Sequence, residues 1–416
     1  MKEEKHFLCI DLKSFFASCE CIERGLNPFT TPLVVANKSQ GMGAMTLAVT
    51  PFLKKQGIKG RTRLYSIPKN IPYVIVNPRM NLYLKKSSEV VSIYLDFVSI
   101  EDLHIYSIDE CFLDVTHYLK LYHKTDMELG QWILETLREK TGLQATCGIG
   151  PSMLLAKLSM DIEAKNKESC IAKWTLDDVK TKLWPLTPLS KMWGIGTHLE
   201  KRLQALSIYT IGDLAHFSQV KLKEKFGIMG LELWNHANGI DTSCIQDFKC
   251  VKKEKSFSHS QVLFKDYFLN ARLLIREMTE GVVKRLRENH YDTGLVGLGL
   301  TYSKELHDGF YHQLKLEVPT DDETIILKNF LNLFDRYYTN LPIRKISLSC
   351  GGLTKHKGTQ LNLFEDYKET CKRKQYAETL DQIQNRFGKN SVLKASSLLS
   401  DSTIKKRNTM VGGHHE

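Results

Sequence analysis

The stretch Ile10-Asp11-Leu12-Lys13-Ser14-Phe15-Phe16-Ala17-Ser18-Cys19-Glu20 decides how this chain is read. It begins at the end of a short apolar run, His6–Leu12, that has the character of a buried strand. Asp11 closes that run, where an unpaired charge is costly unless it binds something. A second stretch, Tyr106-Ser107-Ile108-Asp109-Glu110-Cys111-Phe112-Leu113-Asp114, sets two adjacent carboxylates between the strand candidates Ile105–Ile108 and Cys111–Val115. Successive strand residues point to opposite faces, so Asp109 and Glu110 can serve one site only at a strand end or tight turn. Three carboxylates from two chain segments can hold two hard divalent ions through oxygen ligands. Such a centre suits an in-line displacement at phosphorus. Strand-end carboxylates also cap turns or pair with lysine, and residue types alone leave that alternative open.

Between the two stretches, from Arg24 to Ser88, there is no Asp or Glu. The same segment carries Lys38, Lys54, Lys55, Lys59, Arg61, Arg63, Lys69 and Arg79. One-signed charge of this extent marks a phosphate-facing module, or a basic face whose acidic partners lie elsewhere in the fold. Asn81–Phe97 has helical spacing, with Leu82, Val90, Tyr94 and Phe97 on one side. Glu128–Lys140 reads as a helix, Leu143–Ile149 as a strand and Pro151–Ile162 as a helix, the alternation of an α+β or α/β layer. From Pro185 onward, short helices are separated by Gly-Ile-Gly at 194–196 and Phe-Gly-Ile-Met-Gly at 226–230, without strand candidates. A lysine-rich linker, Phe248–Ser256, precedes Ala271–Arg287 (helix), Gly294–Tyr302 and Phe310–Val318 (strands), Glu323–Tyr338 (helix) and Ile343–Ser349 (strand). That order implies a second α+β domain, followed from about His356 by a polar tail.

The bulk properties agree with several domains and a polyanionic partner. The chain has 416 residues and a formal net charge of +11. No apolar run approaches the ~20 residues that span a bilayer, and the amino terminus lacks the apolar core of a signal peptide. Ten cysteines without CxxC spacing fit a reduced, cytosolic protein with no structural zinc.

The first stretch resembles the opening motif of Y-family (translesion) DNA polymerases, and Ser107-Ile108-Asp109-Glu110 resembles that family's Ser-Ile-Asp-Glu motif. Phe-Ala-Ser-Cys-Glu is similar to the UmuC-like branch, and the extension beyond Glu365 is similar to Gram-positive members concerned with UV-damage repair and mutagenesis. The resemblance covers essentially the whole chain. It implies an α+β multidomain right-hand polymerase, with a ferredoxin-like palm (1–23 and 79–185) and small fingers (24–78). A helix–hairpin–helix thumb (186–247), an α+β little finger (248–357) and a tail (358–416) would follow.

The implied roles are specific. Asp11, Asp109 and Glu110 would ligate two magnesium ions, assisted by the backbone carbonyl of Leu12. Phe16 would be the steric gate, since an apolar ring neither fits nor hydrogen-bonds a ribose 2′-hydroxyl; Ser14 and Phe15 lie beside it at nucleotide-binding positions, although Phe15 also suits the core. Lys54 and Lys165 match triphosphate-binding positions, and because the loop before Lys165 is one residue longer here, Lys167 stays in contention. Lys13 replaces an aspartate of many relatives at a position that is not a primary metal ligand, and Pro51 replaces a tyrosine found in several.

In the thumb, Gly194, Ile195, Gly196 and Lys201 would meet DNA phosphates, backbone amides and a helix amino terminus facing the anion. Lys252, Lys253, Lys255, Lys284, Arg285 and Arg287 would supply a basic face to the little finger. Gln360-Leu361-Asn362-Leu363-Phe364 resembles the peptide by which bacterial polymerases dock in the sliding clamp, with Gln360, Leu361, Leu363 and Phe364 as contacts. The implied activity is error-prone translesion synthesis in a DNA-damage (SOS-type) response. Its partners would be primer–template DNA, a dNTP, the clamp and recombinase or mutasome accessory proteins, in the cytoplasm and nucleoid and away from membranes. Two other readings are a catalytically silent, clamp-tethered scaffold, favoured by loss of a ligand carboxylate, and a nucleotidyl cyclase, which needs no DNA-gripping parts.

Overall fold

The computed structural model describes residues 4–249, 254–303, 308–356, 358, 367–411 and 414–415. The chain divides into two compact units, the first running to Val251 and the second from Lys252 to Gly413.

The first unit is built on the strand β1 (Phe7–Leu12), which is apolar on both faces because both are covered. Leu8, Ile10 and Leu12 join one core, while Phe7 and Cys9 join another with Met153, Ala156 and Met160. Ser14 takes a left-handed conformation (φ 51°), which turns the chain from β1 directly into the helix α1 (Phe15–Ile22). Next, β2 (Leu33–Ala36), β3 (Thr46–Val49), α2 (Pro51–Lys55) and β4 (Val74–Val76) form a small module, its sheet ordered β3-β2-β4 around Val34, Val49 and Leu53. The helix α3 (Met80–Leu95) buries Tyr83, Val90, Ile93 and Tyr94, so Tyr83 rather than Leu82 is the fully enclosed side chain of its first turn.

Two short strands follow, β5 (Leu103–Ile105) and β6 (Glu110–Asp114). The expected strand Ile105–Ile108 is therefore shifted: Tyr106 to Asp109 form a turn in which the N–H groups of Tyr106 and Ser107 both donate to the Glu110 carbonyl at 3.0 Å. After α4 (Tyr118–Tyr122), α5 (Asp126–Thr141) is opened by a Thr125–Glu128 capping box and buries Leu129, Ile133 and Leu137. β7 (Ala145–Gly150), α6 (Met153–Leu158) and β8 (Ile171–Lys173) complete a five-stranded sheet ordered β5-β6-β1-β7-β8. α6 lies directly on β7: a Cβ on Gly148 would sit 2.1 Å from the Ala156 carbonyl oxygen. The helix continues as a π-helical turn over Ser159–Glu163.

The strandless segment is helical as its glycine punctuation implies: α7 (Thr197–Gln204), α8 (Ile211–His216), α9 (Gln219–Phe226), α10 (Ile228–Ala237) and α11 (Ile245–Lys249). α7 to α10 pack around Leu203, Ile211, Leu222 and Leu233.

In the second unit, β9 (Ser256–Tyr267), α12 (Ala271–Glu288), β10 (Tyr291–Tyr302), β11 (Gly309–Thr320), α13 (Glu323–Tyr337) and β12 (Ile343–Lys355) form an antiparallel sheet ordered β11-β10-β12-β9. Leu274, Val282, Phe330 and Phe334 of the helices pack on Val296, Leu298 and Leu348 of the strands. β9 was not legible because Ser256, Ser258, Ser260, Lys265 and Asp266 occupy exposed positions and dilute the strand-forming residues.

The reading of the end of the chain as a simple polar tail is corrected. α14 (Tyr367–Phe387) and α15 (Ile404–Asn408) belong to the second unit and are tied to it by charge. Arg287 pairs with Asp381 at 2.7 Å, Lys394 pairs with Glu280 at 3.1 Å and with Glu323, and Ser402 Oγ donates to Glu277 at 2.5 Å. Gln360, Leu361, Leu363 and Phe364 lie outside the described residues, as do Lys252 and Lys253.

Candidate active site

Asp11 lies directly opposite Glu110 across β1 and β6, and opposite Thr146 across β7. Asp109 sits one residue before β6, in the turn, and its carbonyl accepts from the Leu12 N–H at 2.9 Å. This is how two adjacent carboxylates reach one strand end: Glu110 is a strand residue and Asp109 is not.

Each carboxylate has its own partner. Asp11 Oδ2 accepts from Lys165 Nζ at 2.5 Å, and Asp109 Oδ1 accepts from Ser107 Oγ at 2.6 Å. Glu110 holds Lys157 at 2.7 Å and accepts from the Cys9 thiol at 3.2 Å. Lys157 and Lys165 come from one helical run and share Asp161, at 3.1 and 2.7 Å.

Burial raises the Asp11 pKa, with Lys165 opposing it, and raises that of Glu110, with Lys157 opposing it. Burial also pushes the Cys9 thiol up, aided by the Glu110 charge, so Cys9 is a neutral donor. Partial desolvation would lower the Lys165 pKa, but Asp11 and Asp161 outweigh it and raise it.

The donors are all oxygens, the carboxylates are partly or largely buried, and two ammonium groups balance them here. Oxygen donors of this kind are the type that hard divalent cations take, while here each of Asp11 and Glu110 is paired with a lysine ammonium.

Three family models match the chain. The impB/mucB/samB family matches residues 10–161, that family's C-terminal domain matches 254–363, and a thumb-domain model described from DNA polymerase iota matches 190–241. UvrX of Bacillus subtilis strain 168, whose name refers it to UV-damage repair, is 38% identical over 99% of this chain and 97% of its own length. DNA polymerase IV 2 of the same organism is 32% identical over 100% of both chains. A solved Y-family DNA polymerase chimera of Dbh and Dpo4 superposes with a TM-score of 0.65 at 20% identity, covering 84% of this chain and 100% of that one. The chain belongs to the Y-family of DNA polymerases. It is a DNA-directed DNA polymerase whose substrates are DNA and deoxynucleotides.

Around the carboxylates of this polymerase, the structure separates the two phenylalanines. Phe15 is 2% exposed and belongs to the core; Phe16 is half-buried and stacks on Tyr83 at 4.5 Å between ring centroids. The Ser14 hydroxyl makes no hydrogen bond among the described residues. Lys54 is exposed, yet partial desolvation lowers its pKa, with Asp11 and Asp109 opposing and Lys165 adding to the shift, so it lies within electrostatic reach of the site. A π turn over Ser159–Glu163 precedes Lys165, which pairs with Asp11, whereas Lys167 pairs with Glu163 at 2.5 Å. Lys13 points away, with Nζ 2.9 Å from Cys170 Sγ, and Pro51 opens α2 as its first helical residue.

The basic module is only partly available. Arg24 and Arg79 pair with the buried Glu20, and Lys86 pairs with Glu23 and Glu89. Lys38, Lys54, Lys55, Lys59, Arg61 and Lys69 make no ion pair among the described residues.

In the thumb, Gly194 has φ 91°, which favours glycine, and Gly196 caps α7. The first helix of the expected helix–hairpin–helix is a single 3₁₀ turn, Leu189–Lys191. Ile195 is 4% exposed and its N–H donates to the Met192 carbonyl, so Ile195 is a core residue rather than a DNA contact. Lys201 is exposed on α7.

Sequence reading missed Lys157, Asp161 and Ser107 as site residues. Ser107 stood inside a recognised motif, and Lys157 and Asp161 at i and i+4 signalled a shared helix face. In the second unit, Asp292, Asp321 and His356 also bring ligand-type atoms within 4.8 Å of one another, with Lys374 Nζ 2.9 Å from His356 Nε2. Within that cluster His356 Nδ1 bonds the Asp292 carboxylate at 2.9 Å.

Proposed function

We propose that this polymerase carries out translesion synthesis by two-metal-ion nucleotidyl transfer, with Asp11, Asp109, Glu110 and the Leu12 carbonyl holding magnesium. The reading is carried by one observation: Asp11 and Glu110 are paired in register while the Asp109 carbonyl binds the Leu12 N–H, so three carboxylates flank one strand end. Magnesium held by Asp11, Asp109 and Glu110 would supply a lowered pKa at the primer 3′-hydroxyl and charge neutralisation at the triphosphate.

The chain's own residues do the rest. Lys165 and Lys54 bring positive charge to the triphosphate, with Ser14 beside them. The Phe16 ring occupies the space a 2′-hydroxyl would need, with Phe15 holding the helix start from the core. Residues 1–23 and 79–185 act as palm, 24–78 as fingers, 186–247 as thumb and 248–357 as little finger. Gly194, Gly196 and Lys201 contact the duplex backbone, since the N–H groups of both glycines are unengaged among the described residues. Gln360, Leu361, Leu363 and Phe364 dock in the sliding clamp.

The name of the relative UvrX supports a place in the response to DNA damage, with mutasome or recombinase partners. No described helix is long and apolar enough to cross a membrane. No ligand carboxylate is missing, so the silent scaffold has no observation in its favour.

Primer extension on undamaged and UV-damaged templates, with magnesium, tests the proposal. Extension past the lesion that is lost in Asp109→Ala supports it; extension that survives in Asp109→Ala rejects the site.

A further inference from the structure

Phe16 and Glu20 stand one helical turn apart on the same face of α1. Tyr83, from the first turn of α3, spans both: its ring stacks on Phe16 at 4.5 Å and 19°, and its hydroxyl donates to Glu20 Oε1 at 2.8 Å. The edge of the same ring meets Phe15 at 6.4 Å. Tyr83 and Glu20 are both fully buried.

Glu20 is fixed in turn from two directions. Arg79, which caps α3, donates Nε to Oε1 at 3.0 Å and Nη2 to Oε2 at 2.8 Å. Arg24, one turn further along α1, bonds Oε2 and also the Glu20 carbonyl at 2.7 Å. A buried carboxylate with a fork of guanidinium donors is a rigid anchor, because loosening it strands a charge away from water. Among the described residues, Glu20, Arg24, Arg79 and Tyr83 make no hydrogen bond or ion pair with Asp11, Asp109 or Glu110, so the reacting centre does not account for them.

We propose that Tyr83 is the positioning residue of the sugar gate, bolted to Glu20 so that the half-exposed Phe16 ring cannot swing out of the path of a 2′-hydroxyl. The inference rests on the reading of Phe16 as the gate. A ring excludes a ribose only if moving it is costly; Phe16 is only partly buried, packed on the core beside Phe15 at 5.7 Å between ring centroids, and its broad face is covered by Tyr83. Stacking on a ring that is itself pinned supplies that stiffness. Glu20 and Arg79 thereby act on sugar choice through Tyr83, from two shells away.

The test is the ratio of kcat/KM for a matched dNTP over the corresponding rNTP, measured for Phe16→Ala, Tyr83→Leu, Tyr83→Phe and the double variant Phe16→Ala/Tyr83→Leu. Tyr83→Leu should lower the ratio by about three- to tenfold, mainly by improving the rNTP, and should add nothing in the Phe16→Ala background, since residues acting through one group are non-additive. Tyr83→Phe keeps the ring but loses the bolt, folds with the smallest disturbance, and should lower the ratio by about twofold. Equal loss for both sugars in Tyr83→Leu, a full additional effect in the double variant, or an unchanged ratio in Tyr83→Phe would each overturn the inference. If Phe16→Ala itself leaves the ratio unchanged, the gate reading fails, and the bolt with it.

Discussion

Asp11 and Glu110 face each other across antiparallel β1 and β6, and each is held by a lysine, Lys165 and Lys157, from the same helical run. The strand end and the helical run are therefore one electrostatic unit, closed through Asp161. Removing a carboxylate should unbalance the unit without unfolding the sheet, because the strand pairing is a backbone property.

Glu110→Gln should accordingly lower primer extension by on the order of 10³-fold, the scale of losing one charge-stabilising group in a transition state. DNA affinity, read by fluorescence anisotropy, should stay within about threefold, since phosphate contacts elsewhere dominate binding. A comparable loss of DNA affinity would mean that the residue serves folding rather than chemistry.

Lys165 and Lys167 are separable by kinetics. Lys165→Ala removes a charged donor from the strand end and should raise the KM for dNTP by about tenfold or more, the range for a charge-assisted hydrogen bond. Lys167→Ala breaks a partly exposed pair with Glu163 and should change KM by less than about twofold. A reversed order would show that the π turn unwinds when the triphosphate binds.

Much of this architecture was legible and the reasons are physical. β1 reads as a strand because both faces are buried, and α12 and α13 read as helices because their apolar faces repeat. That Asp109 and Glu110 must meet at a strand end or tight turn was legible, because side chains alternate along a strand, and Glu110 indeed begins β6. What escaped was decided by contacts that leave no periodic trace. Tyr83 looks like any helix aromatic until Glu20 is seen beneath its hydroxyl, and the basic run of the second module hides that Arg24 and Arg79 are committed to that same carboxylate. α14 was taken for tail because it docks through Asp381 and its neighbours rather than through an apolar stripe.

Asp126 gives the fold a pH signature. The carboxylate is 3% exposed, at the start of α5, and bonds His6 beside β1 and Lys173 on β8, each at 2.7 Å. Burial alone would raise its pKa, but the Lys173 and His6 contacts outweigh it and hold it below the usual carboxylate range. A lowered folded pKa stabilises the protein above the unfolded value, and that contribution is lost as pH falls through the folded one. Chemical denaturation of the wild type should therefore show stability falling with acid below about pH 4, the unfolded carboxylate value. Asp126→Asn should be less stable at neutral pH and lose less between pH 7 and pH 3. Parallel curves would remove Asp126 from the acid response.

The proposed clamp peptide and the docked end of the chain should behave as independent devices. Leu363→Ala with Phe364→Ala should abolish stimulation by the sliding clamp while basal extension and thermal stability hold, because two apolar anchors supply most of such a contact. Ending the chain at Asp366 instead keeps the peptide but removes Asp381 from Arg287, Lys394 from Glu280 and Glu323, and Ser402 from Glu277. Arg287 is only 11% exposed at its side chain, so its charge is left poorly solvated. At about 1.5–3 kcal/mol for each lost bond to a charged group, the second unit should unfold several degrees earlier in calorimetry. Clamp binding, read by surface plasmon resonance at a temperature below that transition, should persist. Unchanged thermal stability in the truncated chain would show that these ion pairs decorate the little finger rather than complete it.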